Sequence, residues 1–192
     1  SALIQSAGCI FFNQSLSTQT ALQEPAEAQG QRLAQSLGCD SDVLSCMRSA
    51  SDSQVLQALQ EESFQPNVDG FLIPSPIGTM MENGDFNQVP ITAGVTANEG
   101  SFFVRVMEIS SQAELESTLL EWAFFWGITD TDRLLSLYHS DDYADAQEAF
   151  DLFYGDLVFV CPTKYFLDSA SDYVDTGAYV HSHVPCWIDF YG

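Results

Sequence analysis

Apolar and polar positions alternate along the chain in blocks with two different periods. At the start, Ala2, Leu3 and Ile4 form a short apolar run bounded by Ser1 and the pair Gln5-Ser6. That pattern predicts a strand over Ala2–Ser6. Pro25 to Leu37 reads as a helix, with Leu33 and Leu37 on one face and Gly38 as its stop. Two short helical turns are expected near Val43–Arg48 and Gln54–Glu61. Residues 64–90 are loop-rich: Pro66, Pro74, Pro76 and Pro90 fall here, together with the turn pairs Asp69-Gly70 and Asn83-Gly84. The compact run I-T-A-G-V-T predicts a strand over Ile91–Thr96. Leu115, Leu119 and Ala123 lie in register for a helix over Gln112–Trp126, and a second helix is expected over Thr131–Tyr138. Tyr143, Ala146, Phe150, Phe153 and Leu157 recur at helical spacing and predict one long amphipathic helix. Its outer face would carry Asp142, Asp145, Glu148 and Asp151. A new helix is expected after Pro162, running to about Tyr173, and A-Y-V-H-S-H predicts a strand over Ala178–His183. Strands separated by long helical stretches point to an α/β fold with a largely parallel sheet.

Composition narrows the function classes. The 192 residues include 5 Lys or Arg and 27 Asp or Glu, so 5 − 27 gives a formal charge of −22. Phosphate binding needs clustered cations, and Lys164 is the sole lysine, so nucleic-acid binding is excluded and an anionic membrane surface is disfavoured. Hydrophobic residues make up 46% of the chain, enough for a core, so the charge does not imply disorder. No run of 18 apolar residues offers a transmembrane helix. The opening S-A-L-I-Q-S-A-G-C has no basic segment and no methionine. It reads as the inside of a domain rather than a signal peptide.

The cysteines stand at 9, 39, 46, 161 and 186. Cys39 and Cys46 bracket a short polar loop and suit a small-loop disulfide better than two thiols, and no C-x-x-C offers a zinc site. Cys161 and Cys186 flank a strand-like segment and are open to pairing with each other or with cysteines beyond the chain. Cys9 is then left over, and an odd count in an oxidised protein implies an outside partner. Asn13-Gln14-Ser15 is an N-glycosylation sequon.

Glu99 is the foremost candidate for chemistry. It sits just past the Ile91–Thr96 strand, and functional side chains of α/β sheets collect at the carboxyl ends of strands. A carboxylate there either orients an imidazole, as the acid of a Ser-His-Asp/Glu triad does, or caps the next turn. His181 and His183 share one strand face without further metal ligands in view, so a structural role is favoured, and His139 reads as a helix C-terminal residue. No G-x-S-x-G occurs, and Ser6 in Q-S-A-G looks like half a motif. Trp122-Ala-Phe-Phe-Trp-Gly127 reads as helix core, with an apolar pocket as the alternative. The acidic positions over 141–151 read most simply as a solvated face; the alternative, a calcium site, lacks the alternating D-x-D-x-D-G loop.

Several segments together resemble one family, the type-B carboxylesterases, lipases and cholinesterases of the α/β-hydrolases. A-L-I-Q-S-A-G (2–8) resembles the strand after the nucleophile elbow. R-L-A-Q-S-L-G-C (32–39) with C-M-R (46–48) resembles the helix and short disulfide loop. F-Q-P-N-V-D-G-F-L-I-P (64–74) resembles the P-x-V-D-G stretch. G-D-F-N-Q-V-P-I-T-A-G-V-T-A-N-E-G-S-F-F (84–103) resembles the block that carries the triad acid. F-Y-G-D-L-V-F-V-C-P-T (153–163) and A-Y-V-H-S-H (178–183) resemble the later helix and strand. The matches are collinear and span nearly the whole chain.

The resemblance implies a partial α/β-hydrolase, with residues 1–192 an internal, C-terminal-half part of one such domain. It implies Glu99 as triad acid, a Cys39–Cys46 disulfide, and no cofactor or metal. The nucleophilic serine is expected before Ser1 and the triad histidine after Gly192, so the role is not carried to His181 or His183. The parent would be a secreted serine esterase acting on esters or lipids, with the remainder of the hydrolase as partner. The alternative is a non-catalytic, cholinesterase-like adhesion or structural protein of an extracellular assembly.

Overall fold

The computed structural model of the protein describes residues 1–6, 14–18, 24–59 and 64–179. In chain order the strands are β1 (Ala2–Gln5), β2 (Gln14–Ser15), β3 (Asn67–Val68), β4 (Ile91–Gly94) and β5 (Thr176–Tyr179). The helices are α1 (Ala26–Ser36), α2 (Val43–Ser49), α3 (Asp52–Ala58), α4 (Ile77–Glu82), α5 (Ser101–Val104), α6 (Gln112–Trp126), α7 (Thr131–Leu137), α8 (Ala146–Gly155) and α9 (Cys161–Ser171). They fall into two compact units, residues 12–76 and the remainder.

In the larger unit β1, β4 and β5 form one sheet in the order β1-β4-β5, and both pairings are parallel, as expected for an α/β fold. The register sets Ala2 opposite Ile91 and Ile91 opposite Thr176. Ile91 and Ala93 point into a cluster with Met81 of α4 and Phe166, Leu167 and Ala170 of α9, and Ala2 and Ile4 pack against its rim. Crossovers through helices are what parallel pairing demands, since consecutive parallel strands cannot be joined by a hairpin.

A second cluster holds the helices after β4 together. Leu115, Leu119 and Ala123 of α6 meet Leu134 of α7 and Ala149, Phe150 and Phe153 of α8. The helix over 112–126 forms as its periodicity predicts. Ser111 caps its first turn, accepting from the Glu114 N–H, and Gly127 ends it at φ +71°. That left-handed turn costs a glycine little and lets Ile128 N–H reach the Ala123 carbonyl at 2.8 Å.

Three sequence expectations need correction here. The amphipathic helix begins at Ala146, not Tyr143, because Asp145 caps it and accepts from the Glu148 N–H. Asp151 is not on a solvated face: it is buried, and Gln147 Nε2 donates to it at 2.7 Å. Pro162 does not open a separate helix after a break. α8 runs through a wide π-helical turn at Asp156–Val160 straight into α9, with Cys161 N–H on the Asp156 carbonyl. The five-residue step rearranges the carbonyls that a proline ring would strike in a regular α-helix. In addition, the loop-rich stretch contains α4, and His139 caps a short turn at Ser140–Asp142 rather than closing a helix.

The smaller unit contains α1 to α3 and the parallel pair β2–β3. Gln14 Nε2 donates to Gln29 Oε1 at 2.8 Å and to the Glu24 carbonyl at 2.9 Å, which fixes β2 on α1. Cys39 and Cys46 form a disulfide, with Cα atoms 5.6 Å apart. After β3, Asp69 Oδ1 accepts the N–H groups of Phe71, Leu72 and Ile73 at 2.8–2.9 Å. These bonds, the one from Ile73 foremost, hold its carboxyl below the usual aspartate range.

Candidate functional site

β4 ends at Gly94, and the chain turns through Thr96 to Glu99 before α5 begins. This places Glu99 beyond the carboxyl edge of the parallel sheet, where functional groups of open α/β sheets gather. Its side chain is half-buried. Oε1 accepts two hydrogen bonds, from the Thr96 N–H at 2.6 Å and from Ser6 Oγ at 2.5 Å. Ser6 stands at the carboxyl end of the neighbouring strand β1. Its N–H donates to the Gly94 carbonyl at 2.8 Å, which continues the β1–β4 ladder by one residue. Its φ of +52° lies in the left-handed region, uncommon for serine, and the turn brings the hydroxyl over to Glu99. Two strand ends thus fix one carboxylate oxygen.

The segment after Glu99 lies on α8. A Cβ on Gly100 would overlap the carbonyl oxygen of Asp151. A Cβ on Gly155 would stand 3.2 Å from the Gly100 nitrogen and 3.8 Å from the Glu99 Cβ. The backbone of Glu99 and Gly100 therefore sits directly against the last turn of α8. Ten residues on, Ile109 N–H donates to Gln147 Oε1 at 2.7 Å on the same helix.

Beside this segment lies a chain of aromatic rings. Phe103 stacks on Tyr154 at 5.8 Å between centroids, and Trp122 meets Tyr154 edge-on at 5.4 Å. Trp122, Phe124, Phe125, Trp126, Tyr154 and Glu121 line a cavity of about 420 Å³. The W-A-F-F-W-G stretch is thus divided between core and cavity: Ala123 is buried, while Phe124 is 91% exposed.

Among the remaining candidates, Cys39 and Cys46 are bonded as expected. Cys161 is buried at the first turn of α9. Cys9, Asn13, His181, His183 and Cys186 lie outside the described residues, and with them the Cys161–Cys186 pairing and the sequon. Among the described residues no group of His, Cys, Asp and Glu is placed to hold a metal ion, and no helix is long and apolar enough to cross a membrane. The sequence reading missed Ser6 as a partner of Glu99. Its position just past β1 is the available signal, because the residues closing parallel neighbouring strands meet at one edge.

Residues 7–186 match the sequence model of the Carboxylesterase family. An acetylcholinesterase from Bungarus fasciatus is 26% identical over 188 residues, covering 83% of this chain and 30% of that protein. Lipase 4 from Diutina rugosa is 26% identical over 160 residues, covering 69% of this chain and 29% of its own length. A solved structure titled PNB esterase superposes with a TM-score of 0.58 at 21% identity, over 80% of this chain and 34% of the other. The parallel sheet and its helices are therefore part of an α/β-hydrolase fold. The chain spans about a third or less of each of these three proteins.

Proposed function

The chain belongs to the carboxylesterase family, and on that premise we propose that it is part of a secreted serine carboxylic-ester hydrolase in which Glu99 is the acid of a Ser-His-Glu triad. Residues 1–192 are then an internal part of one α/β-hydrolase domain, and the remaining polypeptide supplies the serine and the histidine. The reading rests on one observation above all: a half-buried carboxylate at the sheet's carboxyl edge, with Oε1 anchored by Ser6 and Thr96. Anchoring one oxygen leaves the other to accept an imidazole N–H. The histidine takes the proton of the attacking serine, and the Glu99 charge stabilises the imidazolium that forms. Backbone N–H groups elsewhere in the domain hold the tetrahedral oxyanion.

The substrate class is a carboxylic ester, including lipid esters, as the names of the relatives suggest. Secretion is supported by the Cys39–Cys46 bond, which persists in oxidising compartments, and by the −22 charge. Asn13 is then a glycan acceptor, and a glycosidase-sensitive mass on its peptide tests that assignment.

In the full-length protein Glu99→Gln is expected to lower kcat by on the order of 10⁴-fold with little change in KM. Wild-type turnover in that variant would remove Glu99 from the triad. Fluorophosphonate should label one serine of the full-length protein. Absence of label would favour the adhesion or scaffold reading, with native mass spectrometry then identifying the assembly. The 192 residues alone are expected to hydrolyse no nitrophenyl ester.

A further inference from the structure

We propose that one face of α8, formed by Gln147, Asp151 and Gly155, is the platform that positions Glu99, with Gly155 its critical positioning residue; the proposal rests on the triad reading of Glu99. The three residues are spaced i, i+4, i+8 and so share a face of the helix. Each meets the segment that begins at Glu99. Gly155 faces the Gly100 nitrogen and the Glu99 Cβ, and the Asp151 carbonyl occupies the space where a Gly100 side chain would stand. Gln147 Oε1 accepts from Ile109 N–H at 2.7 Å and its Nε2 donates to Asp151 Oδ1 at 2.7 Å. One helix thus secures both ends of residues 99–109.

The fit at Gly155 has little slack. The atom nearest an added Cβ is a backbone nitrogen, not the end of a flexible side chain. Gly100 is itself pressed against α8, where the Asp151 carbonyl and the Gly155 nitrogen already fill the space beside its Cα. A methyl at position 155 is therefore accommodated by lifting Glu99 and Gly100 off the helix by a few tenths of an ångström. Glu99 Oε1 is tied to β1 and to Thr96, so the lift tilts the carboxylate rather than freeing it. The oxygen that would meet the histidine moves, and a triad acid acts through the histidine without touching the ester itself.

The test uses the full-length protein and four forms: wild type, Gly155→Ala, Gln147→Leu and Glu99→Gln. Gly155→Ala should lower kcat about tenfold with KM unchanged, since small misplacements of a catalytic group are costly. Moving the carboxylate also weakens its hold on the imidazolium, so the acidic limb of the kcat/KM profile should shift to lower pH. Gln147→Leu leaves the Gly155 contact intact and should lower kcat less, in the same sense. It decides the matter if Gly155→Ala does not accumulate folded. Wild-type kcat and pH profile in a folded Gly155→Ala, or in Gln147→Leu when that is the variant scored, overturns the platform while Glu99→Gln remains inactive. Full activity in Glu99→Gln overturns the triad reading and the platform with it.

Discussion

Tyr138 shows how one buried polar group is tied to its surroundings. It is fully enclosed in the helical cluster, and its hydroxyl donates to Asp156 Oδ2 at 2.9 Å. Burial first, and the Asp156 charge second, push the phenol well above its ordinary value. A raised value in the folded state means a contribution that is intact below the unfolded tyrosine's value, about 10, and is lost as pH rises beyond it. Urea midpoints are therefore expected to fall from about pH 10 upward, and less steeply in Tyr138→Phe. Tyr143 and Tyr154 are also raised by burial, so the variant should reduce the alkaline loss, not abolish it. At neutral pH the same variant should cost about 1–3 kcal/mol, because a buried carboxylate oxygen loses a donor. Parallel pH curves for the two proteins would show that Tyr138 ionisation does not limit alkaline stability. At this scale the place of Glu99 at the sheet's carboxyl edge was legible, because a strand end followed by a glycine is a local pattern. Ser6 was not, because its bond joins residues 93 positions apart, and its place just past β1 becomes a signal only once β1 and β4 are known to be parallel neighbours.

At the scale of elements, legibility followed length and period. α6 was readable because Leu115, Leu119 and Ala123 repeat one turn apart within a 15-residue helix, all at 1% exposure or less. α4 was not, since Ile77–Glu82 offers little more than one turn for a period to show. The path from α8 to α9 misled because Pro162 signals a break in any regular helix, and nothing in the composition announces a π-turn. Asp151 misled for a related reason: its i, i+3 spacing from Glu148 matches an acidic face, yet the Glu99 segment covers it.

The disulfide element carries a prediction. α2 has seven residues, none buried, and its N-cap Asp42 makes no side-chain cap bond. So short a helix is marginal alone, which leaves the Cys39–Cys46 bond as its main tie. Reduction, or Cys46→Ser, should raise amide exchange over 43–49 and destabilise the smaller unit by about 2–3 kcal/mol. Non-reduced peptide mapping should show Cys39 and Cys46 linked; unchanged exchange after reduction would assign the stability of α2 to packing.

For the whole molecule, charge sets the terms. With 27 acidic and 5 basic side chains, one-to-one pairing with every Lys and Arg still leaves 27 − 5 = 22 carboxylates without a Lys or Arg counter-charge. Two of the cations are already committed locally, Arg32 to Glu24 and Lys164 to Asp168, at exposed sites where such pairs contribute little. Self-repulsion of this kind acts over the Debye length, about 30 Å at 0.01 M salt and about 8 Å at 0.15 M. Compaction brings the carboxylates together, so screening should favour the folded chain over the expanded one. The melting temperature is therefore expected to rise steadily as sodium chloride increases from 0.01 to about 0.5 M, steepest at the low end where the screening length exceeds the spacing of surface charges. Sodium sulfate compared at equal ionic strength separates screening from the general strengthening of apolar burial by excluded salts. A melting temperature indifferent to chloride would mean that the carboxylates are spaced widely enough for water alone to shield them, and that the −22 charge adds no strain to the fold.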